Sequence, residues 1–145
     1  MGLFDSILGN EGKEEAPSAD ASKTSNPFSV QLSFSPLRLA ASRKNSVLMN
    51  VRVKNISNDP QLVSVDALLP KNAMMGFDTA CINKAIEKRV GDLKSGHSID
   101  VPIEIFASNQ TKEGNYGLQV TVFAHYIGYE KVIGYIKKSA SLRVV

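Results

Sequence analysis

The sequence predicts an all-β protein, an antiparallel β-sandwich with one short helix, preceded by a flexible N-terminal tail. Three observations carry that expectation. From Phe28 onward apolar and polar residues alternate with period two, the spacing of strands that bury one face. Six to eight such stretches are separated by clusters of turn-forming residues, as in sandwiches. Helical patterns do not alternate with them, so a parallel sheet would lack its crossovers. The chain has 145 residues, 43% of them apolar, which suits one domain with one core.

The first element is the segment 1–9, Met-Gly-Leu-Phe-Asp-Ser-Ile-Leu-Gly. Leu3, Phe4, Ile7 and Leu8 share one face of a helical turn, too short to persist in water without a surface to fold against. They are the expected docking residues for a membrane face or a partner protein. Residues 10–27 contain no large apolar side chain and read as a disordered linker. Residues 1–27 carry a net charge of −3, which leaves +6 on residues 28–145, the expected β-sandwich. A secretory signal is not expected, because the N-terminus has neither a basic lead nor a continuous apolar stretch. The chain is therefore expected in the cytoplasm, peripheral to a membrane or on a larger assembly.

In the body, Val30, Leu32 and Phe34 alternate with polar neighbours, and so do Val47, Met49, Val51 and Val53. Asn55-Ile56-Ser57-Asn58-Asp59-Pro60 is a turn signal, after which Val63, Val65, Ala67 and Leu69 alternate again. Over 79–89, Ile82, Ala85, Ile86 and Arg89 recur at helical spacing, with Asp78 or Thr79 as N-cap; this is the expected helix. Ile99, Val101, Ile103 and Ile105 form the next strand, where Pro102 favours an edge or a bulge. Leu118, Val120, Val122 and Ala124 follow, with Phe123 on the second face implying partial cover there. Residues 131–145 read as one long strand or two short ones bent at Lys137-Lys138.

Three stretches carry a resemblance: Val51-Arg-Val-Lys-Asn-Ile-Ser57, Leu93-Lys-Ser-Gly-His-Ser98 running into Ile99-Asp-Val-Pro-Ile-Glu-Ile105, and Gly114-Asn-Tyr-Gly-Leu-Gln-Val-Thr-Val122. Over roughly residues 45–125 the chain resembles the CARDB-type immunoglobulin-like modules of bacteria and archaea, and it is similar in texture to archaeal β-sandwich proteins. The resemblance implies an immunoglobulin-like sandwich and no particular activity. It also implies that the Asn caps a strand-end turn, the Gly takes a positive φ and the Tyr opens an inner strand.

Chemistry-bearing residues are few. A single cysteine excludes an internal disulfide and the usual zinc clusters. His97 and His125 have no ligand partner at local spacing, and Cys81 reads as a small buried hydrophobe. Nucleotide-binding and hydrolase motifs are absent, and Asp66, Asp78, Asp92 and Asp100 are scattered. No catalytic residue, metal or cofactor is expected. The basic residues Arg43, Lys44, Arg52, Lys54, Lys84, Lys88, Arg89, Lys137 and Lys138 form an anion-binding or partner patch if they share a face. Leu48, Ile56 and Phe106 are candidates for a protein contact. The leading expectation is thus a non-enzymatic interaction module tethered by residues 1–9, and the alternative is a basic accessory protein that binds RNA or a ribonucleoprotein.

Overall fold

A computed structural model describes residues 26–145; the 1–9 docking segment, and the 10–27 linker apart from Asn26 and Pro27, lie outside the described residues. The strands are β1 (Phe28–Ser35), β2 (Arg38–Leu39), β3 (Asn45–Asn55), β4 (Gln61–Leu68), β5 (Met75–Gly76), β6 (Ala85–Leu93), β7 (Ser98–Ala107), β8 (Gly114–Tyr126) and β9 (Gly128–Val144). They form two sheets, ordered β2-β9-β8-β4-β6 and β1-β3-β7-β5. Every pairing is antiparallel except β2 with the end of β9. The all-β sandwich read from the alternation is what forms.

The alternation also sets the core. Val47, Met49, Val51 and Val53 of β3 and Ile103 and Ile105 of β7 turn inward from one sheet. Val63, Val65 and Ala67 of β4 and Leu118, Val120, Val122 and Ala124 of β8 turn inward from the other; all are buried. Each large apolar side chain buried in this way contributes about 1.5–3 kcal/mol. Pro102 lies opposite Asn50 of β3, and β5 on the other side of β7 pairs only with Phe106 and Ala107, so at Pro102 that side of β7 is an open edge, a position proline tolerates. Strand β9 is single and unbent at Lys137-Lys138; its irregularities fall between Gly128 and Gly134.

The short helix over 79–89 does not form. Asp78 does accept hydrogen bonds as a cap would, from the backbone N–H groups of Ile82 and Asn83, both at 2.9 Å. The chain then fails to wind, because Cys81 takes a left-handed conformation (φ 58°) and residues 85–93 pair with β4 instead. Burial explains the outcome: Ile82 is exposed and Ile86 only half-buried, so the apolar side of the supposed helix has no core to enter. Gly76 allows the loop to close, since a Cβ there would lie 2.6 Å from the Cα of Cys81.

Asn55 joins the two sheets at one pole. Its fully buried amide donates to the carbonyls of Asp59 (2.8 Å) and of Leu93 on β6 (2.9 Å). Its Oδ1 accepts from the N–H (2.9 Å) and the hydroxyl (2.6 Å) of Ser57. This is the turn cap the resemblance implies, extended into a clamp between layers.

Candidate functional site: the apolar end of the last hairpin

The pole closed by Asn55 is also where β1 begins, because Phe28 pairs with Asn55, so residues 1–25 join the body there. Strands β8 and β9 end and start at the same pole: His125 is the last β8 residue opposite β4, and the hairpin continues past it. Tyr126, Ile127, Val132 and Ile133 at this tip are all exposed, Ile127 by 85%. Ile127 also has φ 67°, a left-handed conformation that a β-branched residue adopts only at a cost of about 1–3 kcal/mol. Strain and exposure coincide at the apex.

Tyr129 folds back over the outer face of the β8 sheet. Its ring meets His125 edge-on at 5.1 Å and lies under the guanidinium of Arg89 at 4.8 Å. Lys131 stands 5.6 Å from the ring of Tyr126, so cations flank the apolar tip. His125 is buried beneath this cover, with Nε2 2.7 Å from the hydroxyl of Ser64. The pair is not arranged for hydrolysis. A catalytic triad sets a carboxylate on the other ring nitrogen and opens the hydroxyl to substrate. Here Nδ1 has no partner among the described residues, and Ser64 is buried. Asp66, on the same face of β4, has its carboxyl raised above the ordinary range, first by burial and then by repulsion from Glu87.

His97 is exposed in the β6–β7 turn and contributes nothing to the His125 cluster. Cys81 is half-buried; its thiol donates weakly to the carbonyl of Phe106 (3.4 Å), and burial pushes its pKa up, against the thiolate a nucleophile needs. Among the described residues, no three His, Cys, Asp or Glu side chains are grouped to hold a metal. No described helix is long and apolar enough to cross a membrane.

The nine basic residues are not gathered on one face. Arg43 and Lys44 lie in the β2–β3 loop, at the pole opposite the tip. Arg52 and Lys54 point out from β3, and Arg52 is held by Asp100 through bonds of 2.7 and 3.0 Å. That pairing raises the Arg52 pKa and holds the Asp100 carboxyl below the usual range. Lys84 is turned inward, its ammonium donating to the carbonyls of Ala73 (2.7 Å), Cys81 (3.1 Å) and Met75. Lys88 and Arg89 sit on edge strand β6, and Lys137 and Lys138 on opposite sides of β9. Arg52 and Lys138 share an open cleft of about 670 Å3 that Val30 and Leu32 also line. Of the contact candidates, Leu48 and Phe106 are near neighbours on the outer face of β3 and β7, whereas Ile56 lies at the tip pole.

No local pattern in the sequence marks the tip. Tyr126-Ile127 and Val132-Ile133 have the composition of strand interior; Tyr126 and Ile127 lie past the last β4 pairing, at His125, while Val132 and Ile133 sit level with it on β9, where the β8–β9 register is irregular.

Known structures resemble the whole body. A FixG-related protein from Vibrio parahaemolyticus superimposes with a TM-score of 0.51 at 10% identity, over 82% of this chain and 97% of that one. Alpha-2-macroglobulin of E. coli gives 0.54 at 15% identity, over 94% of this chain but 7% of its own length. The alkylpurine DNA glycosylase AlkC of Pseudomonas fluorescens, bound to DNA containing an abasic site analog, gives 0.50 at 13%, over 81% and 30%. At such identities the likeness shows the fold alone. No protein-family model and no curated protein matches the sequence.

Proposed function

We propose that this chain is a non-enzymatic interaction module, an immunoglobulin-like sandwich of CARDB type that docks through one pole on a membrane surface or a larger assembly. In this reading it works in the cytoplasm, tethered by Leu3, Phe4, Ile7 and Leu8. The observation that carries the reading is the exposed apolar tip of the β8–β9 hairpin at the pole where residues 1–25 join the body. Two apolar elements in one chain with a basic body support attachment better than either does alone, since each contributes only reversible binding. The alternative, an RNA-binding accessory protein, is weakened because Lys84 is spent on backbone carbonyls and Arg52 on Asp100. Bases also need free aromatic platforms beside the cations, and the ring beside Arg89, Tyr129, is already packed against His125.

The test is Leu3→Ser with Phe4→Ser in the full chain, followed by co-sedimentation with liposomes and by pull-down. Loss of the bound fraction at an unchanged melting temperature is expected, and unaltered binding in both assays refutes the tether. RNA binding that weakens steeply with salt would favour the alternative.

A further inference from the structure

Resting on the docking reading above, we propose that the β8–β9 tip itself enters the headgroup layer of an anionic lipid membrane. Tyr126, Ile127, Val132 and Ile133 are the penetrating residues, and Lys131 and Arg89 are the headgroup contacts. The tip carries its exposed apolar residues on a hairpin end, not in a groove, so it suits a deformable phase better than a preformed pocket. Tyr126, Tyr129 and Tyr135 are three of the four tyrosines in the chain. Tyrosine is enriched at the boundary between hydrocarbon and water because its ring is apolar and its hydroxyl is wet. Tyr126 and Tyr135 are exposed, while Tyr129 is held between His125 and Arg89 and stiffens the base of the tip.

Charge complementarity selects the lipid. Lys131 and Arg89 lie against the rings of Tyr126 and Tyr129, and Arg89 is also 3.5 Å from Glu87 in an exposed pair that a lipid phosphate would have to displace. Residues 26–145 carry a net +6, which attracts an anionic surface as a whole. A second copy of the chain is a poorer occupant. Antiparallel self-pairing along the open edge of β9, centred on Lys137-Lys138, would set these lysines of one copy against those of the other. The left-handed Ile127 fits the same account, for a side chain held at an unfavourable φ in full solvent exposure gains its return only when the apex is covered.

The experiment uses the full chain, vesicles of phosphatidylcholine with and without about one third phosphatidylserine, and flotation as the readout. The wild-type chain is expected to float with the anionic vesicles and to release as salt rises. Ile127→Asn combined with Ile133→Ser should reduce partitioning about tenfold or more, two large apolar side chains being withdrawn from the contact. Ile127→Gly is the folding control: it relieves the left-handed residue, so its melting temperature should hold or rise while its partitioning falls. Unchanged partitioning of both variants overturns the proposal, as does equal binding to neutral vesicles. So does failure of the wild type to bind vesicles while it self-associates or captures a protein through the tip. Loss with Leu3→Ser and Phe4→Ser but not with the tip variants defeats the tip alone and leaves the tether standing; the reverse pattern defeats the tether.

Discussion

Replacing Asn55 by Ala removes four hydrogen bonds from a fully buried side chain without adding a clash. A typical bond contributes about 0.5–1.5 kcal/mol net, and a buried group left unpaired costs about 1–3 kcal/mol. The Leu93 carbonyl loses a partner in the interior, whereas the half-buried Ser57 hydroxyl keeps the Asp59 carbonyl at 2.9 Å and the exposed Asp59 carbonyl recovers a bond from water. These considerations together give a destabilisation of about 3 kcal/mol. For a body of this size that corresponds to a fall in melting temperature of roughly 10 °C. Urea denaturation followed by circular dichroism checks it: the midpoint should fall while the slope stays constant, since the surface exposed on unfolding is unchanged. Asn55→Asp keeps the acceptor for Ser57 but turns a carboxylate toward two carbonyls, so it should cost at least as much. Ser57→Ala, which leaves both donations intact, should cost less than about 1 kcal/mol. A loss below about 0.5 kcal/mol for Asn55→Ala would refute the clamp, since it is then no larger than the effect of an ordinary surface change.

Other perturbations have equally definite expectations. Lys84→Met strips the carbonyls of Ala73, Met75 and Cys81 of their donor and should cost about 2–4 kcal/mol, with limited proteolysis now cutting within residues 70–84. Gly76→Ala drives a Cβ against the Cys81 backbone and should cost about 1–3 kcal/mol in the same urea assay. Asp66→Asn should be as stable as the wild type below the unfolded-state carboxylate pKa and more stable at neutral pH. The native pKa is raised, so ionisation costs stability as pH climbs through it; melting curves from acid to neutral pH read the divergence. Asp78 behaves oppositely: hydrogen bonds from Asn83 and Ile82 depress its pKa, so the stability it contributes is lost as pH falls through that depressed value. Asp78→Ala should therefore flatten the acid limb.

Strand positions were legible because a strand with one buried face must alternate, and the inward residues of β3, β4, β7 and β8 are those the alternation picks out. Asn55 was legible as a turn cap, though its reach to Leu93 was not, because Leu93 is 38 residues further along the chain. The expected helix failed for a related reason. Its spacing was a local pattern of four residues, and pairing of residues 85–93 along β4 supplied backbone hydrogen bonds that an uncovered helix would have had to make in water. The basic patch was a count of charges; the fold turned Lys84 inward and paired Arg52, which no spacing rule foresees.

By itself the sequence determined the all-β class, the inward and outward faces of most strands, the single core and the break in composition near Pro27, because each follows from periodicity or from the amount of apolar surface in a segment. Tertiary structure alone decided which apolar residues stay wet. Tyr126, Ile127, Val132 and Ile133 do not differ in kind from the core residues around them; Tyr126 and Ile127 lie past the last β4 pairing, and Val132 and Ile133 lie at the irregular start of β9, which β4 does not flank. Burial depends on what lies across the sheet, and a linear pattern holds no record of that.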